Sequence, residues 1–137
     1  MDLVNLHLLS ATEAARLIRD GMISSEQLVA ACLERIREVD VQVQAWAFLD
    51  ADYALEQARA ADQRRLSGQP IGPLHGVPVG VKDIFDTSDM PTECGSILYA
   101  GRTPSRDSCL ITSRSGGGDH GQDCDHRVRI FCARQDT

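Results

Sequence analysis

Lys82 is the residue of this chain whose position most suggests chemistry. Residues 72–83 (GPLHGVPVGVKD) place this lysine directly after an apolar run that is punctuated by glycine and proline. A lysine at the end of a strand is expensive to bury unless it is paired or uncharged, and a desolvated lysine can act as a general base. The alternative is a lysine whose stem packs while its ammonium group reaches water, and the spacing alone favours this alternative.

A second set of reactive side chains lies near the C-terminus. His120, Cys124, His126 and Cys132 have the chemistry of zinc ligands, but their spacing is irregular for a structural zinc site. Residues 115–118 (SGGG) form a glycine run without the lysine and the preceding strand of a phosphate-binding loop. The carboxylates of residues 83–90 indicate a solvated turn, since no spaced histidine or cysteine accompanies them. We therefore predict neither a metal nor a cofactor.

The elements around Lys82 are predicted to be three helices and two strands. Ser10 and Glu13 form a capping-box pattern before a helix that stops near Gly21, and Ser24 with Gln27 starts the second helix. The third helix covers residues 50–66, and short strands are expected within residues 43–49 and 77–82. Pro78 favours an edge or the start of the second strand. His75 is expected to be a loop residue that binds the backbone.

Residues 72–96 (GPLHGVPVGVKDIFDTSDMPTECGS) resemble the amidase signature family, which includes amidases and the A subunit of tRNA-dependent amidotransferases. The resemblance extends to Asp107 and, less specifically, over the N-terminal helices. It implies an α/β fold in which helices pack on a mixed sheet, of which this chain is the N-terminal part. It also implies that Lys82 belongs to a Ser–cis-Ser–Lys triad, where it takes a proton through the bridging serine and so activates the nucleophilic serine.

The tail after about residue 111 is expected to be irregular. When the degenerate codons of residues 112–136 are read from each second base, they permit LREAGAVIMGKTVTTEFASFAPGKT, one choice among those allowed. An AGAVIxGKTxxxEFA-like run is what amidase-signature proteins carry next. We therefore predict a frame shift near residues 110–112, which leaves residues 1–110 as the N-terminal part of an amidase-signature domain and residues 111–137 as a disordered tail.

The serines of the triad have no counterpart in this chain. No Gly-Gly-Ser-Ser run occurs, and Ser113 and Ser115 lie in the shifted tail. We therefore expect a hydrolase of carboxylic amide C–N bonds, here a truncated fragment that retains only Lys82 and is inactive alone. A stand-alone amidase is slightly favoured over the A subunit of a glutamyl/aspartyl-tRNA amidotransferase. The alternative of another class is a small metal-binding or interaction protein that uses the tail, and recoding that restores the frame is a third.

The composition of the chain limits the classes of molecule that it is expected to bind. The net charge of −6 over 137 residues argues against general affinity for nucleic acids. The sequence contains no run of 18 apolar residues, so we predict no membrane span. The N-terminus lacks the pattern of a signal peptide, so we expect a cytoplasmic protein with five reduced cysteines. The expected ligand of the parent enzyme is a small-molecule amide, and the oligomeric state is left open.

Overall fold

The fold combines three helices with a small sheet. The computed structural model describes the backbone of residues 3–108 and 128–133 and the side chains of residues 5–108. In chain order the elements are a 3-10 helix Leu3–Leu8, α1 (Ala11–Arg19), α2 (Ser25–Val43), β1 (Trp46–Leu49), α3 (Ala51–Leu66), β2 (Pro78–Lys82), a 3-10 turn Ile97–Tyr99, and β3 (Val128–Ala133).

Polar side chains begin the three helices where the sequence predicts. The hydroxyl of Ser10 accepts from the Glu13 N–H, and Asp50 accepts from the Tyr53 N–H at the start of α3. Ser24 and Gln27 form the complete reciprocal capping box before α2. The predicted helix starts are therefore confirmed. The first strand, Trp46–Leu49, is shorter than the predicted range of residues 43–49. The reason is that α2 continues to Val43 and ends at Gln44 in a left-handed conformation.

Two hydrophobic clusters hold the helices together. The first packs α1, the start of α2 and the residue before β2 around Ile18, Leu28 and Val77. The second packs α2 against α3 through Val29, Leu33, Ala54 and Ala58. The buried face of α3 consists of alanines, so the two helix backbones approach closely.

A cross-helix cap fixes the start of α2 against the segment before β2. Asp62 of α3 accepts hydrogen bonds from the backbone N–H groups of Ser25 (2.8 Å) and Glu26 (3.0 Å). The fully buried hydroxyl of Ser25 donates to the Gly76 carbonyl at 2.6 Å. Gly76 has a φ of +74°, and a Cβ there would lie 3.0 Å from the Ser25 Cβ. Glycine is therefore required at this contact.

The sheet is mixed, as the amidase-signature resemblance implies. Its strand order is β1-β3-β2, with β3 antiparallel to β1 and parallel to β2. Pro78 is the first residue of β2, and β2 lies at an edge among the described strands, which confirms the expectation for this proline. The ring of Trp46 also reaches from β1 to β2, since a Cβ at Gly80 would lie 3.1 Å from it.

Strand β3 differs from the irregular tail that the sequence predicts after about residue 111. Six residues of that tail, Val128–Ala133, form the central strand and pair with both β1 and β2. The physical reason is local: the run VRIFCA contains Val, Ile and Phe, which favour extended backbone. A segment without helical periodicity can therefore still provide the hydrogen-bonding groups of a strand. Residues 109–127 and 134–137 of the tail lie outside the described residues.

Candidate functional site

Lys82 is the last residue of β2, and its side chain is exposed. The strand alternates at this end, since Val81 before it and Asp83 after it are both buried. Lys82 therefore lies on the opposite face from the buried pair. This arrangement corresponds to the strand-end lysine whose head reaches water, because the described residues do not bury the side chain.

Asp83 anchors the loop that follows β2. The residue is only 3% exposed, and its carboxylate accepts from the backbone N–H groups of Glu93 (2.8 Å) and Gly95 (3.2 Å). Its carbonyl accepts from the Cys94 N–H at 3.0 Å. Cys94 has a φ of 54°, an uncommon value for a residue with a side chain. Three hydrogen bonds to Asp83 therefore hold three consecutive residues in a conformation that Cys94 would otherwise seldom adopt.

The sequence does not reveal this role of Asp83. The pattern of residues 83–90 predicts solvated carboxylates in a turn, which is wrong for Asp83, because this residue is buried and bound to the backbone. Its partners lie ten or more residues further on and are main-chain groups, so no side-chain motif records them. The sequence offers one signal for this role. Asp83 lies two residues beyond Val81, an apolar strand residue that faces the core, so the alternation of a strand places both on the buried side.

Asp86 and Arg102 join the two halves of the same loop. The guanidinium of Arg102 donates to both carboxylate oxygens of Asp86, at 2.7 and 2.9 Å. This hydrogen bonding, with the positive charge of Arg102, holds the pKa of the Asp86 carboxyl below its usual value of 3.8. The pKa of Arg102 is raised by the same hydrogen bond. The backbone groups of Thr92 and Arg102 also pair at 2.9 Å, so the loop returns to its own start.

Other polar residues of the region have structural contacts. The Nε2 atom of buried His75 lies 2.8 Å from the Ala61 carbonyl, which confirms that His75 binds the backbone. The hydroxyl of Tyr53 donates to Asp89 at 3.1 Å, and Ser88 donates to Asp107 through both its N–H and its hydroxyl. These contacts connect the loop to α3 and close it near residue 107.

Of the reactive residues of the tail, Cys132 is placed beside the end of β2, because it pairs with Val81 in the register of β2 and β3. Ser113, Ser115, His120, Cys124 and His126 lie outside the described residues, and only the backbone of Cys132 is described, within β3. Across residues 5–108, no group of three or more His, Cys, Asp or Glu side chains is arranged to hold a metal ion. In the described part of the chain, no helix is long and apolar enough to cross a membrane.

An apolar turn follows the anchored loop. In the 3-10 turn Ile97–Tyr99, the side chain of Ile97 is 90% exposed and that of Leu98 is 88% exposed. The Arg102 guanidinium lies 6.0 Å from the centroid of the Tyr99 ring, a distance compatible with a weak cation–π contact. Apolar side chains and an exposed lysine thus lie on two segments that Asp83 ties together.

The amino-acid sequence of this chain is similar to those of known proteins. A family model described as Amidase matches residues 27–114. The A subunit of glutamyl-tRNA(Gln) amidotransferase from Salinispora arenicola is 42% identical over 116 residues, which are 85% of this chain and 24% of that protein. The corresponding protein of Thermobifida fusca is 50% identical over 93 residues, which are 68% of this chain and 19% of that protein.

Solved structures share the fold. Native peptide amidase from Stenotrophomonas maltophilia superposes with a TM-score of 0.79 at 27% identity, over 95% of this chain and 25% of that chain. An inhibitor-bound structure related to the origins of an s-triazine catabolic enzyme gives a TM-score of 0.80 at 23% identity, over 93% of this chain and 26% of that chain. The chain spans about a quarter of the length of these proteins or less.

Proposed function

The chain belongs to the amidase family, and from this premise we propose that it is the N-terminal part of a hydrolase of carboxylic amide C–N bonds, with Lys82 as its catalytic base. The observation that carries the proposal is the position of Lys82 at the end of β2, inside the matched residues 27–114. In a Ser–cis-Ser–Lys triad this lysine takes the proton of the nucleophilic serine through the bridging serine, and the alkoxide attacks the amide carbonyl.

The exposure of Lys82 supports a second part of the proposal, that this chain is inactive alone. Lys82 is exposed in this structure, so the described residues do not exclude water from it as a closed active site would. The chain also contains no Gly-Gly-Ser-Ser run to supply the two serines and the oxyanion-binding backbone. The remaining part of the fold therefore has to provide the nucleophile and the cover over Lys82.

A chimaera tests the role of Lys82. Residues 1–110 replace the matched stretch of the Salinispora arenicola relative, and release of ammonia from glutamine is measured. We expect hydrolysis that falls at least a hundredfold in Lys82→Ala, since a positioned base contributes about 10²–10⁴-fold. Lys82→Arg should be equally inactive, because arginine stays protonated. Arg37→Ala removes an exposed cation from α2 and should leave the rate unchanged.

Two outcomes would contradict these proposals. If the chimaera with Lys82→Ala keeps its rate, Lys82 is not the base. If the purified 137-residue chain hydrolyses an amide at a rate that Lys82→Ala abolishes, the chain is not inactive alone. The second assay uses the same ammonia measurement, with buffer and the Lys82→Ala chain as blanks.

A second candidate within the family is the A subunit of an amidotransferase. Relatives with that name are 38–50% identical to this chain, whereas the peptide amidase is 27% identical. These identities favour the amidotransferase over the stand-alone amidase that the sequence alone slightly favours. The chimaera assayed with the partner subunits of the Salinispora arenicola protein separates the two. Amidation of glutamyl-tRNA(Gln) indicates the amidotransferase, and hydrolysis of free amides that ignores the partners indicates the amidase.

The frame shift near residues 110–112 remains part of the proposal, with residues 1–110 as the amidase-signature part and residues 111–137 as the tail. The end of the family match at residue 114 supports it. The nucleotide sequence across codons 108–140 is the test, since an open shifted frame that continues into a Gly-Gly-Ser-Ser-Gly-like run is expected. Early stop codons in that frame would contradict it.

Titration with Co²⁺ tests the metal-binding alternative, which predicts a thiolate charge-transfer band.

A further inference from the structure

The ammonium group of Lys82 has no hydrogen-bonding or charged partner among the described residues. It takes part in none of the ion pairs of residues 5–108, and the side chain is exposed. In the described part of the chain, the direction in which this side chain leaves β2 is therefore set by the backbone of residue 82. A catalytic group has to be held to within about 0.5 Å of its working position, so whatever fixes this backbone bears on the reaction.

The backbone on the C-terminal side of Lys82 is fixed by a tight turn. The Lys82 carbonyl accepts from the Ile84 N–H at 2.8 Å and from the Phe85 N–H at 3.1 Å. On the N-terminal side, Val81 is 5% exposed and pairs with β3. The main chain at residue 82 is thus held between a paired strand and this turn, and the position of the turn decides where Lys82 points.

Asp83 is the residue that fixes the turn. Its two carboxylate oxygens bind different groups: Oδ1 accepts from the Glu93 N–H at 2.8 Å, and Oδ2 accepts from the Gly95 N–H at 3.2 Å. Because each oxygen has its own donor, the carboxylate cannot rotate without losing a hydrogen bond. The Asp83 carbonyl accepts from the Cys94 N–H at 3.0 Å as well, so the side chain and the main chain of one residue bind the same segment.

We propose that Asp83 is a positioning residue for amide hydrolysis, which acts through Lys82 by holding the end of β2 in place. This inference rests on the proposed function. Asp83 is buried and its carboxylate is occupied by backbone N–H groups, so it contributes position and not a proton. Loss of one of these bonds lets the turn and the backbone of Lys82 shift, and a displacement of about 1 Å in a reacting group costs roughly a hundredfold in rate.

A double-mutant cycle in the chimaera described above tests this role. Asp83→Asn keeps the shape of the side chain but offers one accepting oxygen in place of two. We expect kcat for the release of ammonia from glutamine to fall at least tenfold, with KM within twofold. In the Lys82→Ala background the same substitution should change the residual rate less than twofold, because no lysine is left to position. A merely structural role would lower both rates equally.

Asp50→Ala is the matched control. Asp50 also accepts a backbone N–H with its carboxylate, that of Tyr53 at 2.9 Å, but it does so at the start of α3. Its loss removes a helix cap and so destabilises the protein, without removing a hydrogen bond of the turn after β2. The kcat of the chimaera should stay within twofold in this variant, when every rate is measured well below the melting temperature.

Amide exchange in the full 137-residue chain covers a chimaera that does not fold. Asp83→Asn should speed exchange of the Glu93 and Gly95 N–H groups at least tenfold, because they lose an acceptor. The Ile84 N–H, which belongs to the turn, should exchange faster as well, and Asp50→Ala should leave all three unchanged. If the Ile84 N–H keeps its protection in Asp83→Asn, the anchor does not hold the turn and the inference is overturned.

Three kinetic results would overturn it too. They are equal falls of the rate with and without Lys82, a rise in KM at unchanged kcat, and a tenfold fall of kcat in Asp50→Ala. The two proposals can be told apart. A chimaera that keeps its rate in Lys82→Ala overturns the proposed function, whereas full kcat in Asp83→Asn, in a chimaera that needs Lys82, overturns this inference alone.

Discussion

At the scale of single residues, Lys82 and Asp83 show how one strand end serves two purposes. The alternation of the strand directs Lys82 outward and Asp83 inward. Asp83 then uses its charge on the backbone of residues 93 and 95, which orders the loop beside the lysine. The reactive residue and the residue that arranges its surroundings are neighbours in sequence, the first exposed and the second buried.

Asp83→Asn should lower the free energy of unfolding by about 1–3 kcal/mol, because hydrogen bonds to a buried charged group contribute that much. Asparagine has one accepting oxygen, and its amide group would face the N–H of Glu93 or Gly95. Urea denaturation followed by circular dichroism measures the change. Asp52→Asn, an exposed carboxylate in the first turn of α3, should stay within about 0.5 kcal/mol. Equal losses in the two variants would contradict the anchor.

The Asp86–Arg102 pair should make stability depend on pH in the acid range. Because the pKa of Asp86 in the folded state lies below 3.8, its contribution is complete above that pH and is lost as pH falls through the lowered value. An NMR titration of the Asp86 carboxyl should show the lowered pKa. Arg102→Gln should return the pKa towards 3.8, whereas Arg106→Gln, which removes an equal charge nearby, should not. An unchanged pKa in Arg102→Gln would contradict the pairing.

At the scale of elements, the start of α2 is determined by three neighbours at once. Its own capping box binds the first turn, Asp62 of α3 caps it from the side, and Ser25 binds the Gly76 carbonyl. The last contact transmits the position of α2 to the segment that enters β2. Packing of helices therefore sets the position of the strand that ends at Lys82.

Gly76→Ala and Gly68→Ala separate backbone strain from packing. Both glycines have φ near +73°, but a Cβ at residue 76 would meet Ser25 at 3.0 Å, whereas a Cβ at residue 68 would meet nothing within 4 Å. Gly68→Ala should cost about 1 kcal/mol of stability from the left-handed conformation alone. Gly76→Ala should cost about 1–3 kcal/mol more from overpacking. Urea denaturation measures both, and similar losses would contradict the close contact.

The sequence predicted these elements unevenly, for physical reasons. Helix starts at Ser24 and Asp50 depend on side chains within three residues, so local patterns identify them. The motif identifies Lys82, but the exposure of its side chain depends on what packs around it. The anchoring role of Asp83 and the cap by Asp62 join groups that are distant in sequence to backbone N–H groups. Backbone donors are the same in every residue, so sequence patterns do not record such contacts.

At the scale of the molecule, β3 holds the two halves of the sheet together. Among the described strands, β1 and β2 are both paired with β3 and not with each other. The contact of the Trp46 ring with Gly80 is the described side-chain link between them. The helical part has its own buried clusters, and Trp46 of β1 packs against the second of them.

A chain that ends at residue 127 should lose the sheet and keep the helices. Without residues 128–133, β1 and β2 lack their hydrogen-bonding partner. Amide exchange should then show unprotected N–H groups in β1 and β2 and protected ones in α2 and α3, and the emission of Trp46, the single tryptophan, should shift to the red. A chain that ends at residue 133 is the control and should resemble the full chain. Protection of β1 and β2 that survives the shorter truncation would contradict the topology.

The order β1-β3-β2 also determines when the strands can pair during synthesis of the chain. β1 is complete at Leu49, and β2 at Lys82, but their common partner begins only at Val128. While the ribosome adds the intervening residues, α2 and α3 can already pack together, whereas β1 and β2 have unpaired edges until β3 is synthesised. Long-range strand pairing is slow, and waiting edges attract other chains. Chaperone capture of the nascent chain should therefore peak after β2 has emerged and fall once β3 has.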